Sequence, residues 1–451
     1  MYSASTSEMS AFSLYQEAES YLEAGKLDEA YLACEKALEI LPFYPLACKS
    51  LGNVLQAMGK SEEAINWYTK AMMQQPNWAE VYTNLGSLYA KQQEWRPAIA
   101  CYETAIELQP NLAGAYRNLS RVWQQVGKLS LAKKYWFKAE KIELEKTALD
   151  KLERGNLLLN EGNISEAIAC YREAVKFNPS LSDAYSQLGE ILVTQGELDL
   201  AINCYQTLSK LLPENWIFPH KLGKILRETG NLNGAFEAFQ RAIELHPNFP
   251  WTQKHLADIL YEQGKFNQAI HYYRQVIKLK ANIWDAYQKL GKIFLEQGKI
   301  DRAVVIYQRG IKLNPNFPRF HYNLGEALSQ QKKWQAAIKA YSRAIELKAD
   351  NYLFHRKLAD VLQKVGKLDE AIVSYQKAID INPNSCWLYA SLGQIYIQQQ
   401  KWSNGLEYFR QALKIKPDYD GAYEKIAYIF EQLGDREAAD KCRYQHELPC
   451  C

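Results

Sequence analysis

A small residue returning at a fixed interval constrains this chain more than any other feature. Ala30, Ala64, Ala98 and Ala132 stand 34 residues apart, and so do Ala167, Ala201, Ala235, Ala269, Ala303, Ala337 and Ala371, with Gly405 and Ala439 completing the series. One step departs: Ala132 to Ala167 spans 35 residues. A period in this range means one supersecondary unit copied along the chain. Each copy is too small to bury its own apolar face and must stack on its neighbours.

Within a unit the pattern is helical. Between Ala79 and Leu112, the residues Tyr82, Leu85, Gly86 and Tyr89 fall at i, i+3, i+4 and i+7, one face of a helix. Ala98, Tyr102 and Ala105 repeat that logic on a second helix, which Pro110 ends. Tyr185, Leu188, Gly189 and Leu192 follow the same grammar, as do Tyr287, Leu290, Gly291 and Phe294. The eighth place of every unit is small, and so is its partner on the second helix, which predicts two closely packed helices. The aromatics at Tyr68, Tyr205, Tyr273, Tyr307, Tyr341 and Tyr375 are expected to fill the space toward the next unit.

The turn inside most units carries Gly, as at Gly25, Gly59, Gly127 and Gly366, which suits a left-handed helix cap. Gln93, Lys332 and Gln400 replace it in three units, and each is followed two residues later by a tryptophan, Trp95, Trp334 or Trp402. The expectation is that the ring covers a less permissive turn.

This order of small residue, Ala, aromatic and Pro resembles the tetratricopeptide repeat over residues 11 to about 447. Its wording is closest to long bacterial, especially cyanobacterial, arrays and to the repeat region of protein O-GlcNAc transferases. The resemblance implies an all-α tetratricopeptide solenoid, a right-handed superhelix of about thirteen helix-turn-helix repeats with a concave groove and a C-terminal capping helix near Arg436 to His446.

The irregular step divides the expected organisation. Residues 1–10 are read as a disordered N-terminus, 11–146 as a first block of four repeats, 148–447 as a second block of nine including the cap, and 448–451 as a tail. Around the junction Leu144 stands at the Pro site, Thr147 is the extra residue, and Lys151 and Arg154 replace an aromatic and a Leu. A bend, a continuous helix or an insertion absorbed in a loop would each satisfy that pattern.

Composition and motifs exclude several classes of function. The formal charge is +3 over 451 residues, which gives no general pull toward nucleic acid or an anionic membrane. No stretch is apolar for long enough to cross a bilayer, and Met1 to Ser10 lacks the form of a secretory signal. The nine cysteines show no paired spacing; Cys101, Cys170 and Cys204 share one repeat position and read as small packing residues. Phosphate loops, nucleophile elbows and metal-type Cys/His spacing are absent from the sequence. His321 and His355 stand at the place of Tyr82 and Tyr185 and read as packing residues. No catalytic residue, metal or cofactor is therefore expected, nor a small-molecule substrate, and a cytoplasmic location is.

In the resembled family the groove is lined by the second, fifth, sixth, ninth, twelfth and thirteenth places of each first helix. Two groups of groove residues stand out. Lys49, Asn53 and Asn84 match residue types with which some chaperone-binding tetratricopeptide domains grip a C-terminal carboxylate. In the next unit Gly114 and Asn118 stand where such a clamp has Lys and Arg, leaving Arg117 and Arg121 beside them. The second group runs through Lys221, Lys224, Trp251, Lys254, His255, Lys289, Lys292, Asn323, Arg356, Lys357 and Trp387, with Glu228, Asp258, Glu262, Glu296, Glu326 and Asp360 interleaved. Of the asparagine ladder along the sixth place in O-GlcNAc transferases, Asn84, Asn118 and Asn323 remain. Mixed charge on a repeat scaffold favours a protein or peptide partner over RNA, which would want an unbroken basic track. The expected function is a non-catalytic scaffold or adaptor. The alternatives are the substrate-recruiting arm of a separate or larger glycosyl-, sulfo- or methyltransferase and, more weakly, an RNA-binding helical repeat.

Overall fold

A computed structural model describes residues 6–419 and 421–447, and every regular element among them is an α-helix. Two compact units divide at Leu211 and Leu212. The first holds α1 (Thr6–Glu23), α2 (Leu27–Ile40), α3 (Pro45–Ala57), α4 (Ser61–Gln74), α5 (Ala79–Lys91), α6 (Trp95–Leu108), α7 (Ala113–Gln125), α8 (Leu129–Asn160), α9 (Ile164–Phe177), α10 (Ser182–Gln195) and α11 (Leu198–Leu211). The second holds α12 (Ile217–Glu228), α13 (Leu232–Leu245), α14 (Pro250–Glu262), α15 (Phe266–Leu279), α16 (Trp284–Glu296), α17 (Ile300–Leu313) and α18 (Pro318–Gln330). It continues with α19 (Trp334–Leu347), α20 (Tyr352–Lys364), α21 (Leu368–Ile381), α22 (Cys386–Gln398), α23 (Trp402–Ile415), α24 (Ala422–Gln432) and α25 (Arg436–Glu447).

The helices pair in chain order, and the small residues explain how closely. A side chain added at Gly291 would run into the Tyr307 ring, so only Gly lets α16 and α17 approach this far around that aromatic. The ring is buried in return, at 1% exposure. Sealing an aromatic of this size from water contributes about 1.5–3 kcal/mol. Repeated from hairpin to hairpin, it supplies the core.

The turns confirm the left-handed geometry and show its cost. Gly25, Gly59, Gly127 and their equivalents have φ between 70° and 85°. Gln93, Lys332 and Gln400 hold φ near 60° without being Gly. Each keeps the same pair of capping bonds: the Lys332 N–H donates to Ser329 O at 3.0 Å and the Lys333 N–H to Leu328 O at 2.9 Å. These three residues stay exposed. The Trp334 ring lies instead against the cluster of Leu328, Ala337 and Tyr341, with the Lys364 ammonium 5.2 Å from its centre.

At the irregular step the chain does not turn. α8 runs unbroken from Leu129 to Asn160, so the second helix of the fourth hairpin and the first helix of the fifth are one 32-residue helix. Thr147 sits inside it, its hydroxyl bonded to Glu143 O at 2.9 Å. α1 begins at Thr6, within the stretch expected to be disordered; residues 6–10 contain neither Gly nor Pro, and Glu8 lies in the first turn where the helix dipole favours it. The expected tail 448–451, with Cys450 and Cys451, lies outside the described residues.

Candidate protein-binding surface

The ninth place of a first helix is where the polar surface begins. In α3 that residue is Asn53, whose amide oxygen accepts the Tyr68 hydroxyl at 2.7 Å and the Asn84 amide at 2.9 Å. Tyr68 lies fifteen residues on, in the second helix of the same hairpin; Asn84 lies thirty-one on, at the sixth place of the next. The same geometry recurs. Ser87 meets Tyr102 at 3.0 Å and Asn118 at 3.4 Å. Asp258 accepts Tyr273 and Lys289, both at 2.7 Å. Glu326 pairs with Lys357 at 3.0 Å, and Asp360 accepts the Tyr375 hydroxyl. A polar ladder thus joins successive hairpins, with a buried tyrosine holding the acceptor from below at Asn53, Ser87, Asp258 and Asp360.

Several residues expected to grip a partner are rungs of this ladder. Asn53, Asn84, Asn118, Lys289 and Lys357 spend their polar atoms on neighbouring hairpins. Lys49 pairs with Glu80 at 2.5 Å and lies 4.9 Å from the centre of Trp78. Arg117 pairs with Glu143 of α8. The carboxylate-clamp set is therefore committed within the fold, except Arg121, which is exposed. Sequence reasoning assigned the sixth place to the groove and missed the acceptor thirty-one residues before it. The recurrent polar residue at the ninth place, in step with the tyrosine, was the available signal.

The strongest cluster centres on Asp258, 1% exposed. Besides Tyr273 and Lys289, it accepts Lys254 at 2.9 Å and Arg227 at 3.3 Å. Asp285 takes Lys254 at 2.9 Å, and Glu262 takes Arg227 at 2.5 Å. Burial pushes the Asp258 carboxyl upward, but the ammonium groups of Lys254 and Lys289 outweigh it and hold the pKa below the usual carboxylate value. Burial works against the Lys254 charge too, and Asp258 overcomes it. Three cations face three carboxylates, so this part of the basic row carries no net charge.

Beside that cluster lie two neutral histidines. His220 Nδ1 meets the Thr252 hydroxyl at 2.8 Å, and the His255 ring stacks on Phe239 at 5.3 Å. Burial, with the charges of Lys254, Lys224 and Arg227 added at His255, lowers both pKa values to about 4. Phe239 stands where most hairpins have the rung-holding tyrosine, and the ninth place of α12 is Lys224, which has no acceptor to offer a hydroxyl. A cavity of about 250 Å³ opens there among Lys224, Arg227, Glu228 and His255.

His321 and His355 prove to be anchors: their Nε2 atoms contact Pro315 O at 2.8 Å and Ala349 O at 2.9 Å, six residues back. Tyr423 at the same place reaches Pro417 O at 3.2 Å. What remains open to a partner on the second unit's first helices is a set of aromatics and bases. Trp251 is 40% and Trp387 38% exposed, with the Lys280 ammonium 5.4 Å from the first ring and the Arg356 guanidinium 4.6 Å from the second. Lys224 and Lys292 are exposed, Lys292 leaning 5.6 Å from the Tyr261 ring; Lys221 and Asn323 are half-buried on α12 and α18. Among the described residues no group of His, Cys, Asp and Glu could hold a metal ion, and no helix is long and apolar enough to cross a membrane.

Models of the tetratricopeptide repeat match most of the chain between residues 52 and 419. The one described as "TPR repeat" matches residues 52–93, 155–196, 257–298, 291–332 and 364–400; those described as "Tetratricopeptide repeat" match 79–112, 186–250, 318–351 and 388–419. None of the curated proteins matches it. Among solved structures it is similar to MamA, at 30% identity over 36% of this chain and 95% of that one, with a TM-score of 0.35. It is also similar to YrrB, described as a TPR protein with an unusual peptide-binding site, at 21% identity over 42% and 96% of the two chains and a TM-score of 0.37. A chain of the APC/C hetero-tetramer Cut9–Hcn1 aligns at 17% identity over 94% and 99%, with a TM-score of 0.39. By the matched repeats and by the hairpin geometry that they encode, this chain belongs to the tetratricopeptide repeat family.

Proposed function

We propose that this chain is a non-catalytic adaptor that binds an extended protein segment across the first helices of its second unit. The observation that carries this reading is the pair Trp251 and Trp387, two large rings left 40% and 38% exposed while the core aromatics of their own hairpins, Tyr273 and Phe409, are 0% and 3% exposed. Rings and guanidinium groups are the side chains in which binding energy concentrates at protein interfaces. Arg356, stacked on Trp387, adds a donor set suited to carboxylates. Lys224 and Lys292 stand at ninth places where a ladder acceptor is missing; Lys224 is exposed to an acidic partner, while Lys292 pairs with Glu296 of its own helix at 3.8 Å.

Binding of a peptide array by the full chain tests this. Replacing Trp251, Trp387 and Arg356 with Ala should abolish capture of acidic, aromatic-containing peptides while leaving the melting temperature nearly unchanged. Lys289→Ala, which cuts a rung, should instead lower the melting temperature. Equal capture by the wild type and the triple variant would refute the assignment.

A further inference from the structure

One rung of the polar ladder is built the wrong way round. Elsewhere an acceptor at the ninth place takes a hydroxyl fifteen residues on and a donor thirty-one residues on, as Asp258 takes Tyr273 and Lys289. In the hairpin of α12 and α13 the same three places hold Lys224, Phe239 and His255. The acceptor has become an ammonium, the hydroxyl is gone, and the third residue has no oxygen to meet. The His255 ring stacks on Phe239, and its buried Nδ1 has no hydrogen-bond partner among the described residues. A buried polar atom left unpaired is unfavourable, so the rung is incomplete within the chain.

The charges around this place are unevenly matched. Lys224, Arg227, Glu228 and His255 line the cavity. Arg227 is committed to Asp258 at 3.3 Å and to Glu262 at 2.5 Å, and Lys254 to Asp258 and Asp285, both at 2.9 Å. Among the described residues no carboxylate pairs with Lys224; Glu228 stands one turn on, exposed at the end of α12. Burial keeps His220 and His255 neutral, and the Lys224 charge adds to that. Lys292, the other basic ninth place of the second unit, is occupied instead by Glu296 and the Tyr261 ring.

Size and charge limit what can enter. At about 250 Å³ the cavity is smaller than the roughly 300–1,000 Å³ of small-molecule sites, so it admits one side chain rather than a cofactor. Lys224 is the one cation of the lining without a carboxylate, and Glu228 lines the same space. One negative charge fits there, and two would be repelled.

We propose that this rung is a binding site for a single carboxylate, the side chain of a glutamate or aspartate in a bound protein segment, which accepts from the Lys224 ammonium and the His255 ring. The partner supplies the acceptor that Asn53 or Asp258 supplies elsewhere within the fold. The proposal rests on the adaptor reading and places the acidic residue of the partner. A side chain rather than a chain end is assigned because Trp251, one turn before His255 on α14 and 40% exposed, leaves an aromatic surface over which the segment continues.

Fluorescence anisotropy with peptide libraries tests this, the peptides having blocked ends and differing only in a central Glu, Gln or phosphoserine. The full chain should bind the Glu library about tenfold more tightly than the Gln library, the scale of one charge-assisted pair, and the phosphoserine library no more tightly than Glu. Lys224→Met should erase the preference for Glu. Lys224→Asp with Phe239→Tyr rebuilds an ordinary rung, so it should erase the preference and raise the melting temperature. Trp251→Ala should weaken binding of every library and keep the preference. Equal binding of Glu and Gln, a preference that survives Lys224→Met, or tighter binding of phosphoserine overturns the site and leaves the adaptor reading standing. A Gln library with free C-termini that binds as well as the Glu library overturns the side-chain assignment. If no library binds, the adaptor reading fails, and sodium acetate against sodium chloride at equal ionic strength decides the site alone. Acetate should raise the melting temperature of the wild type and not of Lys224→Met; equal shifts overturn the proposal.

Discussion

The Tyr273 hydroxyl donates to the Asp258 carboxylate at 2.7 Å, and this one bond ties the buried core of a hairpin to the charged surface above it. Asp258 is held by three cations besides, on the helices before, around and after it. Removing the carboxylate would leave those cations crowded around only the more exposed Glu262 and Asp285, and breaking a buried ion pair costs about 3–5 kcal/mol. Lys254, Lys289 and Arg227 are partly solvated, so Asp258→Ala should fall at the low end, near ~3 kcal/mol in urea unfolding. Tyr273→Phe removes only a hydrogen bond, and its cost should be about 1 kcal/mol. Equal losses from the two substitutions would mean that the hydroxyl, not the ion cluster, holds this site.

The left-handed turns make the opposite kind of prediction, a gain. Lys332 holds φ 58° although it has a side chain, and its neighbours supply the same caps that Gly receives elsewhere. A non-Gly residue in this conformation costs about 1 kcal/mol relative to Gly. Lys332→Gly should therefore stabilise the second unit by up to ~1 kcal/mol, less what the more flexible unfolded chain takes back. Gly366→Ala, at φ 80° with open space around it, should lose a similar amount. Both follow from thermal melts, and a destabilised Lys332→Gly would contradict the account of the turn.

The hairpins and their turns were legible in the sequence because each depends on residues close along the chain: a small eighth place, an alanine, an aromatic and a glycine. The ladder was not, because its partners stand thirty-one residues apart and meet only when two hairpins are stacked. Lys289 and Lys357 look like free bases in a groove until Asp258 and Glu326 are brought beside them. The junction was half legible. An extra Thr147 and a missing Pro announced an irregularity, but a bend and a straight helix use the same residues, and only packing against α7 and α9 decides between them.

Stability should depend on pH through His220 and His255. Both pKa values lie near 4 in the fold against 6.5 for an ordinary histidine. Between those values the unfolded chain binds protons that the folded chain refuses, so unfolding is favoured as pH falls. The contribution is complete above pH 6.5 and is lost progressively toward pH 4. Asp258, whose pKa is depressed, loses its own contribution in the same direction but only below the ordinary carboxylate value of 3.8. The melting temperature of the second unit should be flat above neutrality and fall by several degrees on acidification, and His255→Phe should make that fall shallower. An unchanged slope would mean that neither ring is shielded from protons as the geometry requires.

The last prediction concerns the continuity of α8. Thr147 lies near its middle, where the backbone bonds of both halves run through one register and the hydroxyl caps Glu143 O. A proline inside a helix removes one bond and clashes with the carbonyl four residues back, at a cost of about 3 kcal/mol. In an ordinary array a proline at the boundary between hairpins is welcome, since it ends the second helix and starts a turn. If α8 is one helix because packing on both sides requires it, Thr147→Pro should destabilise the first unit by roughly that amount. If the straight passage is merely what a turn-less sequence adopts, Thr147→Pro should instead be tolerated, and a restored turn would bring a first helix back over Trp136. Tryptophan fluorescence separates the outcomes, because covering Trp136, now 47% exposed, would shift its emission to the blue. The expected result is a less stable unit with no such shift.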